Sequence, residues 1–174
     1  MINVIGDNVI FLSFLFIILS FFFYTIAFFK RSNLFSSIGK RSLLSVLILL
    51  TVSIVLIEFQ LITKDYTNLY VARNVSNDLN SIFSATSLWA GQAGSLLLWT
   101  WILSIYIFIE NKKSLDQLIP ISKIAGTFTL SFFIFLITFI ENPFEINSQV
   151  IDNGRGLNPI LQNIYMSIHP LSLY

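Results

Sequence analysis

The sequence contains no cysteine and only one histidine among its 174 residues. The absence of cysteine excludes disulfides, thiolate metal sites, cysteine nucleophiles and CxxC redox chemistry. Charged residues are also scarce, at 11% of the chain, whereas soluble domains carry about 25%. This shortage excludes an ordinary water-soluble globule, and the 55% hydrophobic content excludes a disordered chain. The net charge is only +1 and the basic residues are scattered, so no nucleic-acid partner is expected.

Long apolar stretches are what the sequence does contain. A spanning helix needs about 20 apolar residues to cross about 30 Å of hydrocarbon. Four stretches reach or approach this length, and they predict helices over about 9–29, 42–63, 86–109 and 121–140. None alternates as a barrel strand would, and isolated strands leave backbone groups unsatisfied in lipid. The sequence therefore predicts an all-α membrane protein with four transmembrane helices, forming a single membrane domain over residues 1–174.

The charges around these stretches predict the orientation. Residues 1–8 contain no basic residue, so the first stretch is interpreted as an uncleaved anchor and not as a signal peptide. Seven basic residues lie between the first two helices or around the start of the fourth, and only Lys64, Arg73 and Arg155 lie on the opposite side. The positive-inside rule then places the N-terminus outside. The outer loops, about 64–85 and 141–168, are long, so function is expected there.

Small residues open the predicted third helix at four-residue spacing. The members of this pattern are Ser87, Ala90, Gly91, Gly94 and Ser95. Small residues at this spacing form a groove that a neighbouring helix backbone can approach. Gln92 needs a hydrogen-bond partner, and Trp89 could pack on an apolar surface or join the aromatic belt. Tight helix packing is the favoured interpretation, and a docking surface for a cofactor or partner is the alternative.

The second outer loop contains an arginine between two glycines. Gly154 and Gly156 permit positive φ, and Asn158-Pro159 favours a turn. Arg155 could bind a carboxylate bidentately. The partner could be a ligand carboxylate, such as a haem propionate, or an acidic residue of the same loop, and the spacing alone favours the internal ion pair. The acidic candidates are Glu145 and Asp152.

The single histidine precedes a proline near the end of the chain. Pro170 favours an extended conformation at His169 and is also suited to the first position of a helix. Neutral imidazole is a good iron ligand, although from the residues alone a lone interfacial histidine without a ligand is favoured. Only four residues follow Pro170, too few for a stable helix. The outer loop is therefore expected to lead into a truncated fifth helix.

Four segments together resemble the CcmF-type cytochrome c haem lyases. Residues 87–99 resemble that family's W-G-G-x-x-G-S-L-L-L-W stretch, and residues 142–144 its N-P-F. Residues 154–162 resemble G-R-G-L-N-P-L-L-Q, and residues 169–174 resemble H-P-P-x-L-Y. Their order and spacing agree over nearly the whole chain. The chain thus resembles the N-terminal portion of such a lyase.

The resemblance implies a function in cytochrome c maturation. Family members receive haem from a haem chaperone and help attach it to CxxCH cysteines of apocytochrome c. His169 would be an axial ligand of the iron of haem b, and Arg155 would contact a propionate or shape the loop. The remaining motif residues would have packing or structural roles; these are Trp89, Gly91, Gly94, Ser95, Gly154, Gly156, Asn158, Pro159 and Pro170.

The resemblance also implies partners and a location. The family's W-W-D segment and second haem-ligating histidine are not in this sequence, Ala90 and Ala93 depart from the first motif, and Leu171 replaces a proline. The expected partners are therefore the remainder of the lyase, the haem chaperone, apocytochrome c and its thiol-handling partner, within a lipid bilayer. The fragment alone is not expected to be active. It would lie in a bacterial cytoplasmic or mitochondrial inner membrane, with its active side facing the periplasm or intermembrane space.

Two other functions remain open from the residues. A haem or ion transporter subunit would need polar residues at the membrane midplane, and few besides Gln92 are available. A non-catalytic membrane assembly subunit would need no ligand.

Overall fold

Four long helices form the body of the protein in the computed structural model, which describes residues 1–109, 119–163 and 165. They are α1 (Ile2–Lys30), α2 (Asn33–Thr63), α5 (Gln92–Ile109) and α6 (Ile119–Phe139), with the short helices α3 (Leu69–Asn74) and α4 (Ser81–Thr86) between α2 and α5. All four long helices are long and apolar enough to cross a membrane. The predicted all-α membrane protein with four spanning helices is therefore confirmed.

The long helices pack as a ring. Helix α1 contacts α2 and α6, and α5 contacts the same two neighbours. Buried residues of α1 recur every seven positions, in one series of small residues and one of larger residues. The small series is Gly6, Ser13, Ser20 and Ala27, and the larger series is Asn3, Ile10, Ile17 and Tyr24. A seven-residue repeat favours left-handed packing of nearly parallel axes, and small residues let the helices approach closely.

The first two helices extend beyond their apolar stretches. Helix α1 begins at Ile2 where hydropathy predicts about residue 9, and α2 begins at Asn33 where it predicts about residue 42. Polar and small residues pack into these extensions. The Ser20 hydroxyl donates to the Gly39 carbonyl oxygen across the α1–α2 contact at 3.0 Å. Only residues 31 and 32 connect the two helices, so the broad inner loop suggested by hydropathy is a tight turn.

The predicted third helix is interrupted. Helix α4 ends at Thr86, a 3₁₀ turn covers Ser87–Trp89, and α5 begins only at Gln92. The continuous helix predicted over 86–109 is therefore wrong at its first turns, and the buried Tyr70 accounts for the break. Helix α6 (Ile119–Phe139) lies close to the predicted 121–140.

Two connecting segments are joined at one end of the bundle, which we call the loop end. The first loop segment (residues 64–91) follows α2, and the second (residues 140–163) follows α6. They meet in an antiparallel bridge between Asn68 and Ile146. The N–H of Leu69 donates to the carbonyl of Glu145 at 2.8 Å beside this bridge. The long loops therefore form one ordered layer over the helix ends.

Candidate functional site

A cluster of three buried amide side chains fastens α3 to the bundle. Asn3, Gln60 and Asn68, which we call the amide cluster, are 3%, 0% and 0% exposed. The Gln60 amide nitrogen donates to Asn3 Oδ1 at 2.5 Å, and the Asn68 amide nitrogen donates to Gln60 Oε1 at 3.1 Å. Asn68 Oδ1 also accepts the Val71 N–H at 3.1 Å, which caps the start of α3. Because buried amides are costly unless bonded, this satisfied network fixes the relative positions of α1, α2 and α3.

The Asn142-Pro143-Phe144 segment attaches the end of α6 to the same cluster. The Pro143 carbonyl accepts from the Asn68 amide at 2.9 Å, and Asn142 donates to Asp7 Oδ1 at 2.6 Å. The Phe144 side chain is 2% exposed. It packs on Gly6 of α1, where a methyl group would overlap the ring. This segment therefore joins the end of α6 to the beginning of α1.

Asp65 extends the amide cluster toward solvent. Its carboxylate accepts from the Gln60 amide at 3.1 Å and from the Thr67 hydroxyl at 2.6 Å. Partial burial raises the pKa of Asp65, but these hydrogen bonds outweigh it and hold the pKa below its usual value. The carboxylate is therefore stabilised in its charged form.

Tyr70 of α3 explains the break before α5. Its hydroxyl donates to the carbonyls of Ser87 and Leu88, at 2.8 and 2.9 Å, and accepts the Gly91 N–H at 3.1 Å. Burial raises the pKa of the Tyr70 hydroxyl well above its usual value, which keeps it a donor. Carbonyls that bind a tyrosine hydroxyl in this way favour a turn over an uninterrupted helix.

The small residues at the start of the predicted third helix make room for the Tyr70 side chain. A methyl group on Gly91 or Gly94 would collide with the Tyr70 ring. The groove predicted to admit a helix backbone therefore admits an aromatic side chain, and Gln92, predicted to need an interhelical partner, is exposed. Ser95 donates to the Trp89 carbonyl at 3.1 Å, and Trp89 is half-buried against the core.

The glycines around Arg155 rest on the end of α3. The Arg155 N–H donates to the Ala72 carbonyl at 2.9 Å. Gly154 lies so close to the Ala72 and Val75 carbonyls that a Cβ could not fit. Gly156 has φ +83°, in the region that favours glycine. Only the second glycine thus uses the positive φ that the sequence suggested, and the first is needed for close approach.

The turn after this loop follows the predicted pattern. The Asn158 side chain accepts the Ile160 N–H at 3.0 Å and begins a 3₁₀ turn at Pro159–Leu161. Leu157 is buried, and its carbonyl accepts from the Gln162 amide at 2.8 Å. The second loop segment is therefore held by α3 and by its own turn.

The internal ion pair that the spacing favoured for Arg155 is not formed among the described residues. Its guanidinium is exposed. Within the described part of the chain it forms no ion pair, neither with Glu145 nor with Asp152. His169 and Pro170 lie outside the described residues. In the described ranges no group of three or more His, Asp or Glu could hold a metal ion.

Sequence reasoning missed the residues that organise this layer. Asn3 and Gln60 stand at seven-residue spacing from other buried positions of their helices, which is a detectable signal. Tyr70 and Asn68 lie in a loop-like region with no periodicity, so no local pattern marked them.

Comparison with known proteins gives the family. No protein-family model matches the chain. The chain is 30% identical over 128 residues to the cytochrome c-type biogenesis protein NrfE of Haemophilus influenzae, which covers 71% of this chain and 20% of the relative. It is 32% identical over 123 residues to CcmF of Pseudomonas fluorescens, covering 68% and 18%. For CcmF of Escherichia coli the identity is 33% over 122 residues, covering 65% and 18%.

A solved structure shares the fold. The cytochrome c haem lyase CcmF superposes with a TM-score of 0.82 at 22% identity, covering 98% of this chain and 27% of that one. The chain spans about a fifth of the length of the curated relatives it matches. The sequence matches and the shared fold agree, and we conclude that the chain belongs to the CcmF-type family of cytochrome c-type biogenesis proteins and corresponds to its N-terminal portion.

Proposed function

We propose that this chain is the part of a cytochrome c haem lyase that holds the loop end of the membrane bundle in position for haem. Its cargo is haem b, received from a haem chaperone and passed to the CxxCH cysteines of apocytochrome c. The remainder of the lyase supplies the W-W-D segment and the second axial histidine. A thiol-handling partner keeps the acceptor cysteines reduced.

One observation carries this proposal beyond family membership. The second loop segment, which leads toward His169, is bound to α3 through the Arg155 N–H and the close packing of Gly154. Helix α3 is in turn bound to α1 and α2 through the amide cluster, and to the 3₁₀ turn before α5 through Tyr70. A ligand-bearing segment needs this rigidity, because a site is effective only when its supporting residues fix its geometry.

His169 is the proposed axial ligand of the haem iron. The neutral imidazole would bind iron through one ring nitrogen. Arg155, exposed at the loop end, is the proposed contact for a propionate. The loop end would face the periplasm or the intermembrane space, in a bacterial cytoplasmic or mitochondrial inner membrane.

The reaction at this site is addition of a thiol across a vinyl double bond. One carbon–sulfur bond forms, the thiol hydrogen goes to the neighbouring vinyl carbon, and no oxidant or reductant is consumed. The acceptor cysteines must therefore arrive as thiols. The described residues supply no group that touches this chemistry, so the proposed role of the chain is to hold and orient the haem.

The test is haem retention by His169→Gly in cells that also make the rest of the lyase. We expect loss of bound haem and of mature cytochrome c, and partial recovery of the haem spectrum when free imidazole is added. Tyr165→Phe, four residues earlier and exposed, is the matched control and should bind haem normally. Unchanged haem binding and unchanged cytochrome c maturation in His169→Gly would refute the assignment.

A further inference from the structure

We propose that Arg73 and Arg155 together form a recognition site for a dicarboxylate, and that both propionates of haem bind there. This inference rests on the proposed function, which supplies the dicarboxylate. It adds Arg73, a residue that no motif singled out. It also assigns Arg155 to a paired site instead of an internal ion pair.

The backbone brings the two arginines together. Arg155 donates its N–H to the carbonyl of Ala72, the residue before Arg73, at 2.9 Å. The two residues therefore flank the same hydrogen bond, although they are 82 positions apart in the sequence. Arg73 belongs to the last turn of α3. Gly154 and Gly156 fix the backbone on both sides of Arg155, so this juxtaposition is a built feature of the loop end.

Both side chains are exposed, and within the described ranges neither forms an ion pair or a side-chain hydrogen bond. The third basic residue of the loop end differs, because the Lys64 ammonium donates to the carbonyls of Asn77 and Leu79, at 2.6 and 2.9 Å. Two carboxylates of the loop end are already bonded: Asp7 accepts from Asn142, and Asp65 accepts from Gln60 and Thr67. Among the lysine and arginine side chains of this layer, the two guanidiniums are thus the ones available to an external anion.

A pair of guanidiniums suits two carboxylates on one ligand. Each guanidinium presents a planar fork of donors that matches one carboxylate. Two such contacts fix the orientation of the ligand as well as its position, whereas one contact allows it to rotate. The propionates leave the same edge of the porphyrin, so this site would set which edge of the ring faces the loop end. The vinyl groups would then be presented away from it.

The experiment compares haem with its dimethyl ester, which keeps the iron and the ring but lacks the two negative charges. The chain, together with the lyase polypeptides that co-purify with it, is placed in nanodiscs of zwitterionic lipid to exclude competition by anionic headgroups. Binding of each compound is titrated for the wild type, Arg73→Gln, Arg155→Gln and the double variant. Arg41→Gln, an exposed arginine of α2 at the opposite end, is the matched control.

We expect the wild type and Arg41→Gln to bind haem about tenfold more tightly than the ester. Each single variant should lose about threefold in haem affinity, which is within the range of exposed charge pairs. The double variant should bind both compounds equally, with ester affinity unchanged in every variant. Equal binding of haem and ester by the wild type, or a preference that survives in the double variant, would overturn the paired site.

The same titration, run also on His169→Gly, separates this inference from the function beneath it. If the paired site fails while haem still binds and still depends on His169, the haem-handling role stands and only the arginine assignment is lost. If the wild type binds no haem, or binds it independently of His169, the proposed function fails and the inference fails with it.

Discussion

Replacing Tyr70 by phenylalanine tests the explanation given for the break before α5. The substitution keeps the ring that packs against Gly91 and Gly94 and removes only the hydroxyl. That hydroxyl donates to the carbonyls of Ser87 and Leu88 and accepts the N–H of Gly91. The side chain is 7% exposed, so water cannot readily replace it.

The expected cost follows from the groups left without a partner. The Ser87 carbonyl keeps a bond from the Ala90 N–H at 3.1 Å. The Leu88 carbonyl and the Gly91 N–H lose their contact with the hydroxyl. A buried polar group without a partner costs about 1–3 kcal/mol, so Tyr70→Phe should lower the free energy of unfolding by about 2–4 kcal/mol.

The matched control is Tyr66→Phe in the same loop segment. The Tyr66 hydroxyl donates to Asn77 Oδ1 at 2.8 Å, in an exposed position where water can replace it. We expect a change of less than about 0.5 kcal/mol for this variant. Both variants and the wild type would be unfolded in mixed detergent micelles, with the fluorescence of the three tryptophans as the signal. If the two variants lost equal stability, the reasoning on the helix break would be refuted.

Two further predictions concern other contacts of the loop end. Gly6→Ala places a methyl group in the ring of Phe144, and this overpacking should lower the free energy of unfolding by about 1–3 kcal/mol. The control is Gly126→Ala, whose methyl group would meet only the Ile107 side chain, at 3.1 Å or more. This control should be close to neutral in the same unfolding assay. A loss for Gly126→Ala as large as for Gly6→Ala would contradict this contact. The second prediction is a pH dependence: because the pKa of Asp65 is held below its usual value, its contribution to stability is present above the unfolded pKa of about 4 and is lost as pH falls through the folded pKa. The melting temperature of the wild type should fall more steeply below about pH 4 than that of Asp65→Asn, and parallel curves would show that Asp65 contributes nothing.

The spanning helices could be predicted because their signal is local. An apolar run long enough to cross a bilayer needs no partner to be recognised. Helices α2 and α5 therefore end where hydropathy predicts, and both ends of α6 lie within two residues of the predicted positions. The first turns of α1 and α2 were missed because their polar residues look like loop by hydropathy. Asn3 is nevertheless buried, since its amide bonds to Gln60 on the neighbouring helix.

The motifs near the loop end were recognised by resemblance, but their physical roles were not. Residues 142–144 carry no signal that they would close on Gly6 and Asn68, which are more than 70 positions away in the sequence. Gly91 and Gly94 were expected to admit a helix, and they admit the Tyr70 ring. A small residue in a sequence predicts close packing, but it does not indicate whether a helix backbone or a side chain packs there.

The class of protein, the number of membrane helices and the family could be inferred from the sequence, because these depend on composition, local hydropathy and the order of short motifs. That α3 binds the amide cluster, the break before α5 and the Gly154-Arg155-Gly156 loop is visible only in the folded protein. Those contacts are made between different elements of the fold, by a few hydrogen bonds each. The loop residues in these contacts, such as Asn68 and Tyr70, follow no periodic pattern, and the folded positions of the elements determine which partners meet.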